Sequence, residues 1–247
     1  MSVAGMKILV TGASSGIGEH LAGYLASAGA EVVAAARRLD KLEALAAQSE
    51  GKITPIVMDV GDPDSVTDGV QAAAKAMGGL TGLFNNAGIA WGGHALKMTH
   101  EDWTRVIDIN VNGVFRAATA CAPIISECGG GAILNTASVL SFRPGEKVAA
   151  YSTSKAAVAH MTKNLALEWA HMNVRVNAIA PGYFPTEMTN PFLATPKGQA
   201  LTENVPMRRF GILHELEGPV ELLLGSRGSF ITGATLPVDG GHLCQSV

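Results

Sequence analysis

Strand-like runs at 8–10, 31–35, 53–58, 82–84, 132–135 and 175–179 alternate in this chain with segments of helical patterning. Strands joined through helices pair in parallel, and the crossover keeps one hand. The alternation therefore dictates an α/β fold: a doubly wound parallel sheet with helices on both faces. Helices are expected at about 16–28, 41–48, 63–77, 101–128 and 151–171, and the fourth is long enough that a break or kink is expected within it. No repeat, low-complexity tract or linker interrupts the pattern. With 247 residues, 47% of them hydrophobic, a single domain spanning 1–247 around one large core is expected.

The first strand, Ile8 to Val10, runs into Thr11-Gly12-Ala13-Ser14-Ser15-Gly16-Ile17-Gly18, and a helix follows. Gly12 permits a tight bend, Gly16 lets the backbone approach a pyrophosphate, and Gly18 lets helix and strand pack closely. The helix start offers unpaired N–H groups to an anion. The spacing Gly-x-x-x-Gly-x-Gly differs from the G-x-G-x-x-G fingerprint, so the glycines alone would also read as a structural bend. The strand before them and the helix after them favour a phosphate site. At the end of the second strand, where folds that select NAD place an acid against the ribose 2′-hydroxyl, Ala36 stands, followed by Arg37 and Arg38. Guanidinium forks suit a 2′-phosphate, so NADP(H) is the expected cofactor, with NAD(H) as the alternative. The competing reading is that these arginines solvate a helix start and pair with Asp40.

Tyr151 and Lys155 lie four residues apart and share one helix face. A free phenol titrates near ~10, and a fixed ammonium beside it favours the phenolate, which would make Tyr151 a general acid or base. Y-x-x-x-K alone is a common coincidence; its weight comes from Ser138 upstream and from the glycine turn. Ser138 does not read as a hydrolase nucleophile, because Thr136-Ala137-Ser138-Val139-Leu140 lacks the G-x-S-x-G elbow. The histidines, His20, His94, His160 and His171 among them, show no metal-ligand spacing, and no metal is expected. Cys121, Cys128 and Cys244 form neither a disulfide framework nor a C-x-x-C pair, which points to a reducing compartment.

The Thr11 to Gly18 turn, Asp59-Val60, Asn85-Asn86-Ala87-Gly88, Asn110, Ser138, Tyr151-x-x-x-Lys155 and Pro181-Gly182 follow one another in an order and spacing that resemble the short-chain dehydrogenases/reductases. The resemblance covers essentially the whole chain. It is nearest the branch that holds 3-oxoacyl-carrier-protein reductases, carbonyl reductases and sugar dehydrogenases. It implies one Rossmann-type dinucleotide-binding catalytic domain of about seven parallel strands, the last near 234–238 and closed by Asp239-Gly240-Gly241.

The resemblance also implies roles. The cofactor would lie on Gly12, Ser14, Ser15, Gly16, Ile17 and Gly18, with Arg37 and Arg38 at its ribose phosphate. Asp59 would accept from the adenine amino group beside Val60; Asn86, Ala87 and Gly88 would form the turn beneath the ribose. Pro181, Gly182, Phe184 and Thr186 would meet the nicotinamide end. Ser138 and Tyr151 would hold a carbonyl while hydride arrives from the nicotinamide and Tyr151 donates the proton. Lys155 would bind the nicotinamide ribose and lower the tyrosine pKa, and Asn110 would hold a water linking Lys155 to solvent. Asp59 also reads as a helix cap, and Asn85-Asn86 as a structural turn. The expected function is reversible, NADP(H)-dependent reduction of a ketone or aldehyde. The alternatives are an NAD-linked sugar or polyol dehydrogenase, a 3-oxoacyl thioester reductase, and a non-catalytic cofactor-binding scaffold. The scaffold is disfavoured because Asn110, Ser138, Tyr151 and Lys155 are all intact.

Loops at 89–97, 139–148 and 183–205 are expected to line the substrate pocket, the last as its principal loop. Trp91, Phe142, Tyr183, Phe184, Met188 and Phe192 suggest a hydrophobic or aromatic ketone, although packing or a subunit contact explains any one of them nearly as well. Arg143, Lys147, Arg208 and Arg209 are too scattered to mark a carrier-protein phosphopantetheine site, which favours a carbonyl reductase. A net charge of −3 gives no basic field for nucleic acid. No apolar run reaches bilayer length and no leader precedes the first strand, so a cytoplasmic protein without membrane contact is expected. The resemblance implies a homotetramer built through 101–128, 151–171 and the last strand, with the tail 242–247 reaching a neighbour.

Overall fold

The structure is a computed structural model that describes residues 3–245. In chain order it contains β1 (Lys7–Thr11), α1 (Gly16–Ser27), β2 (Glu31–Ala36), α2 (Leu39–Ala47), β3 (Ile53–Val57), α3 (Pro63–Met77), β4 (Gly82–Asn85), α4 (His100–Ile107), α5 (Gly113–Glu127), β5 (Gly131–Thr136), α6 (Ala149–Trp169), β6 (Val174–Pro181), α7 (Asn190–Leu193), α8 (Pro196–Ala200), α9 (Glu217–Leu224) and β7 (Thr235–Val238). The strands form one seven-stranded sheet in the order β3-β2-β1-β4-β5-β6-β7, and every pairing is parallel.

Period-two alternation sends each strand's apolar residues to both faces. Ile8, Val10, Val32, Ala34, Phe84 and Leu134 pack with Leu21 and Leu25 of α1, Leu42 of α2 and Val220 and Leu223 of α9. Leu9, Val33, Leu83 and Ile133 face the other way, onto Val66 and Val70 of α3, Cys121 and Ile125 of α5 and Leu165 of α6. Each fully buried aliphatic or aromatic side chain in these layers contributes about 1.5–3 kcal/mol of transfer free energy, so the two layers make the sheet rigid.

Winding outward in both directions from the β1/β4 pair reverses the strand order there. That reversal opens a crevice beyond the carboxyl ends of β1 and β4, the place where this architecture binds ligands.

Local signals explain the clearest element. Helix α3 starts at Asp62, whose carboxylate accepts from the Asp64 and Ser65 N–H groups, has Pro63 in its first turn, and stops at Gly78 in the left-handed region (φ 64°). The stretch 101–128 is indeed divided: α4 ends at Ile107, a wide turn of π type spans Asp108–Asn112, and α5 follows. The short helices α7 and α8 and helix α9, which buries one face, stand in a region where the sequence pattern announced no helix. Arg175 on β6 secures α9 by donating to the carbonyls of Leu223, Leu224, Gly225 and Ile231.

Candidate active site

A cavity of about 300 Å³ occupies the switch-point crevice. Every residue the sequence proposes for cofactor or chemistry lines it except Gly18 and Asn110, which stand just behind its wall.

The floor is the β1–α1 turn. Gly12 and Gly16 both adopt left-handed backbone (φ 68° and 58°). A Cβ on Gly12 would lie 2.8 Å from the Ala87 Cα, and one on Gly18 would lie 2.3 Å from the Gly12 carbonyl oxygen. Gly18 thus brings helix and turn together. Thr11 fixes the neighbouring turn: its Oγ1 accepts from the Asn86 and Ala87 N–H groups, each at 3.0 Å. Ser15 precedes α1 in extended conformation and makes no capping bond through its side chain. The first-turn N–H groups of α1 are therefore available at the cavity, and the Thr136 hydroxyl, elsewhere on its lining, is buried without a partner among the described residues. This donor-rich, glycine-shaped floor fits the pyrophosphate of a dinucleotide.

At one end of the cavity Arg37 lies 3.8 Å from Asp59, and Arg38 pairs with Glu187 at 3.3 Å while its guanidinium also donates to the Ser14 hydroxyl and carbonyl. The arginines thus meet Asp59 and Glu187, not Asp40. Asp59 accepts from the Gly61 N–H, whereas Asp62 caps α3.

At the other end stand Ser138, Tyr151 and Lys155. Ser138 stands with the Tyr151 phenol on the cavity lining and favours its ionised form, and its hydroxyl accepts from the Leu140 N–H at 3.1 Å, where it starts a short turn. Lys155 is buried; its Nζ donates to the Thr136 carbonyl at 2.7 Å and lies 5.7 Å from the Tyr151 ring centre. Burial pushes the Lys155 ammonium down to about 8. Burial also raises the Tyr151 phenol above its ordinary value, and Ser138 opposes that only in part. Lys155 is expected to lower the phenol; in this structure burial raises it, and the Lys155 ammonium donates to the Thr136 carbonyl.

Asn110 sits in the π-type turn, fully buried. Its amide donates to the Ile89 carbonyl and to Ser154 and accepts from the Ile89 N–H. Both amide hydrogens are engaged, so Asn110 acts here by positioning Ile89 and α6. Ser154 and Thr11 were not singled out from the sequence as site residues; each is a small hydroxyl whose importance depends on a distant partner.

Of the apolar set, Phe184 and Met188 line the cavity. Phe142 and Phe192 are half exposed, and Tyr183 faces a second, smaller cavity of about 130 Å³. Arg143 donates to the His242 and Gln245 carbonyls, so the tail is held by its own chain as far as Gln245. The last two residues of the proposed tail contact lie outside the described residues. Among the described residues no group of three His, Cys, Asp or Glu side chains could hold a metal ion, and no helix is long and apolar enough to cross a membrane.

The fold and site define a nucleotide-linked oxidoreductase, and comparison with known proteins identifies the family. Residues 6–197 match the family model described as short chain dehydrogenase. A gluconate 5-dehydrogenase of Gluconobacter oxydans is 40% identical over 97% of this chain and 95% of its own. A 3-oxoacyl-acyl-carrier-protein reductase of Thermotoga maritima is 35% identical over 98% and 99%. The crystal structure of a gluconate 5-dehydrogenase from Burkholderia cenocepacia, in complex with NADP and tartrate, superposes with a TM-score of 0.94 at 33% identity, covering 98% of this chain and 97% of that one. The chain belongs to the short-chain dehydrogenase family. It is an oxidoreductase that acts on an alcohol or ketone.

Proposed function

We propose that the protein reversibly reduces a ketone or aldehyde with NADP(H), using Tyr151 as the general acid and base. One observation carries this reading: the Tyr151 phenol shares a cavity with Ser138, with Lys155 and with the glycine floor. The bound nicotinamide supplies or accepts the hydride at the carbonyl carbon. Ser138 and Tyr151 orient the carbonyl oxygen, and a phenol kept protonated by burial is suited to donate a proton as that oxygen gains charge. Lys155, a cation close to the phenol, favours the phenolate once the proton has left and holds the ribose hydroxyls of the cofactor. For the reverse reaction Tyr151 takes the alcohol proton. The preference for NADP(H) is supported by Ala36 in place of an acid, by Arg37 and Arg38 on the cavity wall, and by the NADP-bound state of related structures.

The apolar wall formed by Ile89, Phe184 and Met188 supports a hydrophobic ketone in the loop 183–205. A polyhydroxy acid is the second reading, supported by the names of the relatives. A homotetramer is supported by exposed Phe115 on α5, Leu167 on α6 and Phe230 ahead of β7; a stable monomer in sedimentation would overturn it. A reducing, cytoplasmic setting is supported by three unpaired thiols.

The test is consumption of reduced nicotinamide across aromatic ketones, β-keto esters, acetoacetyl thioesters and keto sugar acids, with NADPH and NADH separately. Turnover that prefers NADPH and vanishes in Tyr151→Phe is expected. Tighter use of NADH would reject the cofactor assignment, and undiminished turnover in Tyr151→Phe would reject the mechanism.

A further inference from the structure

The guanidinium groups that would receive a 2′-phosphate already face carboxylates, and the two carboxylates differ in origin. Asp59 follows β3 and belongs to the cofactor wall. Glu187 comes from the substrate segment, next to Thr186, whose side chain lies 3.2 Å from where a Cβ on Gly16 would stand. Arg38 spends Nε and Nη2 on Ser14, which holds the guanidinium plane against the phosphate turn. Its Nη1 and Nη2 both donate to one Glu187 oxygen at 3.3 Å. Glu187 therefore occupies the edge of the guanidinium that Ser14 leaves free, and it lines the same cavity. A dianionic phosphate arriving at that edge meets a competing acceptor and a like charge; an unphosphorylated ribose meets neither obstacle in comparable degree.

We propose that Glu187 is a specificity-determining residue: a built-in counter-ion on Arg38 that sets how strongly the enzyme discriminates between phosphorylated and unphosphorylated dinucleotide. This rests on the reading of Arg38 as a 2′-phosphate ligand. The carboxylate holds Arg38 in place, and it lowers the gain available from a 2′-phosphate. Because both partners are about half exposed, the competition is moderate.

The test is direct titration of NADP⁺ and NAD⁺ by isothermal calorimetry, on wild type, Glu187→Gln and Arg38→Ala. Glu187→Gln keeps the side chain's size and an acceptor oxygen but removes the charge. It should tighten NADP⁺ by about three- to fivefold, the range expected of an exposed charge pair, and leave NAD⁺ within about twofold. The gain should shrink with added salt as the charges are screened. Arg38→Ala should weaken NADP⁺ selectively. If Arg38→Ala loses NADP⁺ affinity but Glu187→Gln leaves the NADP⁺/NAD⁺ ratio unchanged or lowers it, the role of Glu187 is overturned and the phosphate site stands. If Arg38→Ala does not affect NADP⁺, the phosphate reading fails and the role of Glu187 falls with it. Glu187 is mostly exposed, so far-UV circular dichroism of the variant should match wild type.

Discussion

Asn110 and Ile89 are joined by two hydrogen bonds of 2.8 Å each, one from the Asn110 amide to the Ile89 carbonyl and one from the Ile89 N–H to the Asn110 oxygen. A side-chain amide thus replaces a missing strand neighbour for the loop beyond Gly88. The wide turn at 108–112 makes this possible, because it lets a helix deliver a buried polar side chain where a regular turn would bury an apolar one. Asn110→Ala leaves both Ile89 groups and Ser154 short of a partner. Each stranded buried group costs about 1–3 kcal/mol, and with three of them, two only partly buried, a total of about 3–5 kcal/mol is expected in urea denaturation. Dinucleotide affinity should fall with it; a variant as stable as wild type would show that water replaces the amide.

Tyr151→Phe removes the phenol proton at the cavity end and keeps the ring. The expected loss in kcat is about 10²–10⁴-fold, the range of a positioned general acid. Direct titration should find NADP⁺ affinity within about twofold of wild type. A large loss of affinity instead would make Tyr151 a structural support for the cofactor.

Lys155 gives folding stability a defined pH dependence. Its pKa falls from 10.5 to about 8 in the folded protein, so between those values the unfolded chain binds more protons than the folded one. Stability must then rise with pH across that window, and below about pH 8 the full cost of burying the charge remains. At 1.36 kcal/mol per unit the rise amounts to about 3 kcal/mol. Subtracting the stability of Lys155→Met from that of wild type, by urea denaturation at pH 7.5 to 10.5, isolates the term. A difference that stays flat over this range would mean that the Thr136 carbonyl fully compensates the buried ammonium.

The sheet, its helices and the cavity floor were legible in the sequence because each is announced locally. Alternating apolar runs locate strands, Asp62 and Gly78 bracket a helix, and Gly12, Gly16 and Gly18 answer steric demands that the structure shows at 2.3 to 3.2 Å. What escaped depends on partners far away in the chain. Thr11 acts on residues 75 and 76 positions later, and Ser154 on one 44 positions earlier. Glu187 is an ordinary surface acid until the fold sets it against Arg38. Sequence spacing gives the proximity of Lys155 to Tyr151 but not the depth of burial that raises the phenol. Helix α9 has only eight residues, with Gly218 and Pro219 near its start, and owes its place to packing and to Arg175 rather than to propensity.

That dependence on Arg175 yields the last prediction. The final carbonyls of a helix lack intrahelical partners, and α9 ends without a basic residue of its own in the last turn. Arg175 reaches across from β6, with bonds of 2.8 Å to Leu223 and Leu224, 3.1 Å to Gly225 and 3.3 Å to Ile231. A planar fork with several donors spans these acceptors; an ammonium, a point charge, does not. Arg175→Met should cost about 2–4 kcal/mol, because the guanidinium is lost and partly buried carbonyls are left to imperfect hydration. Arg175→Lys should recover less than half of that loss. Thermal melts of the three proteins decide it: if lysine restores wild-type stability, charge at the helix end matters and the fork geometry does not.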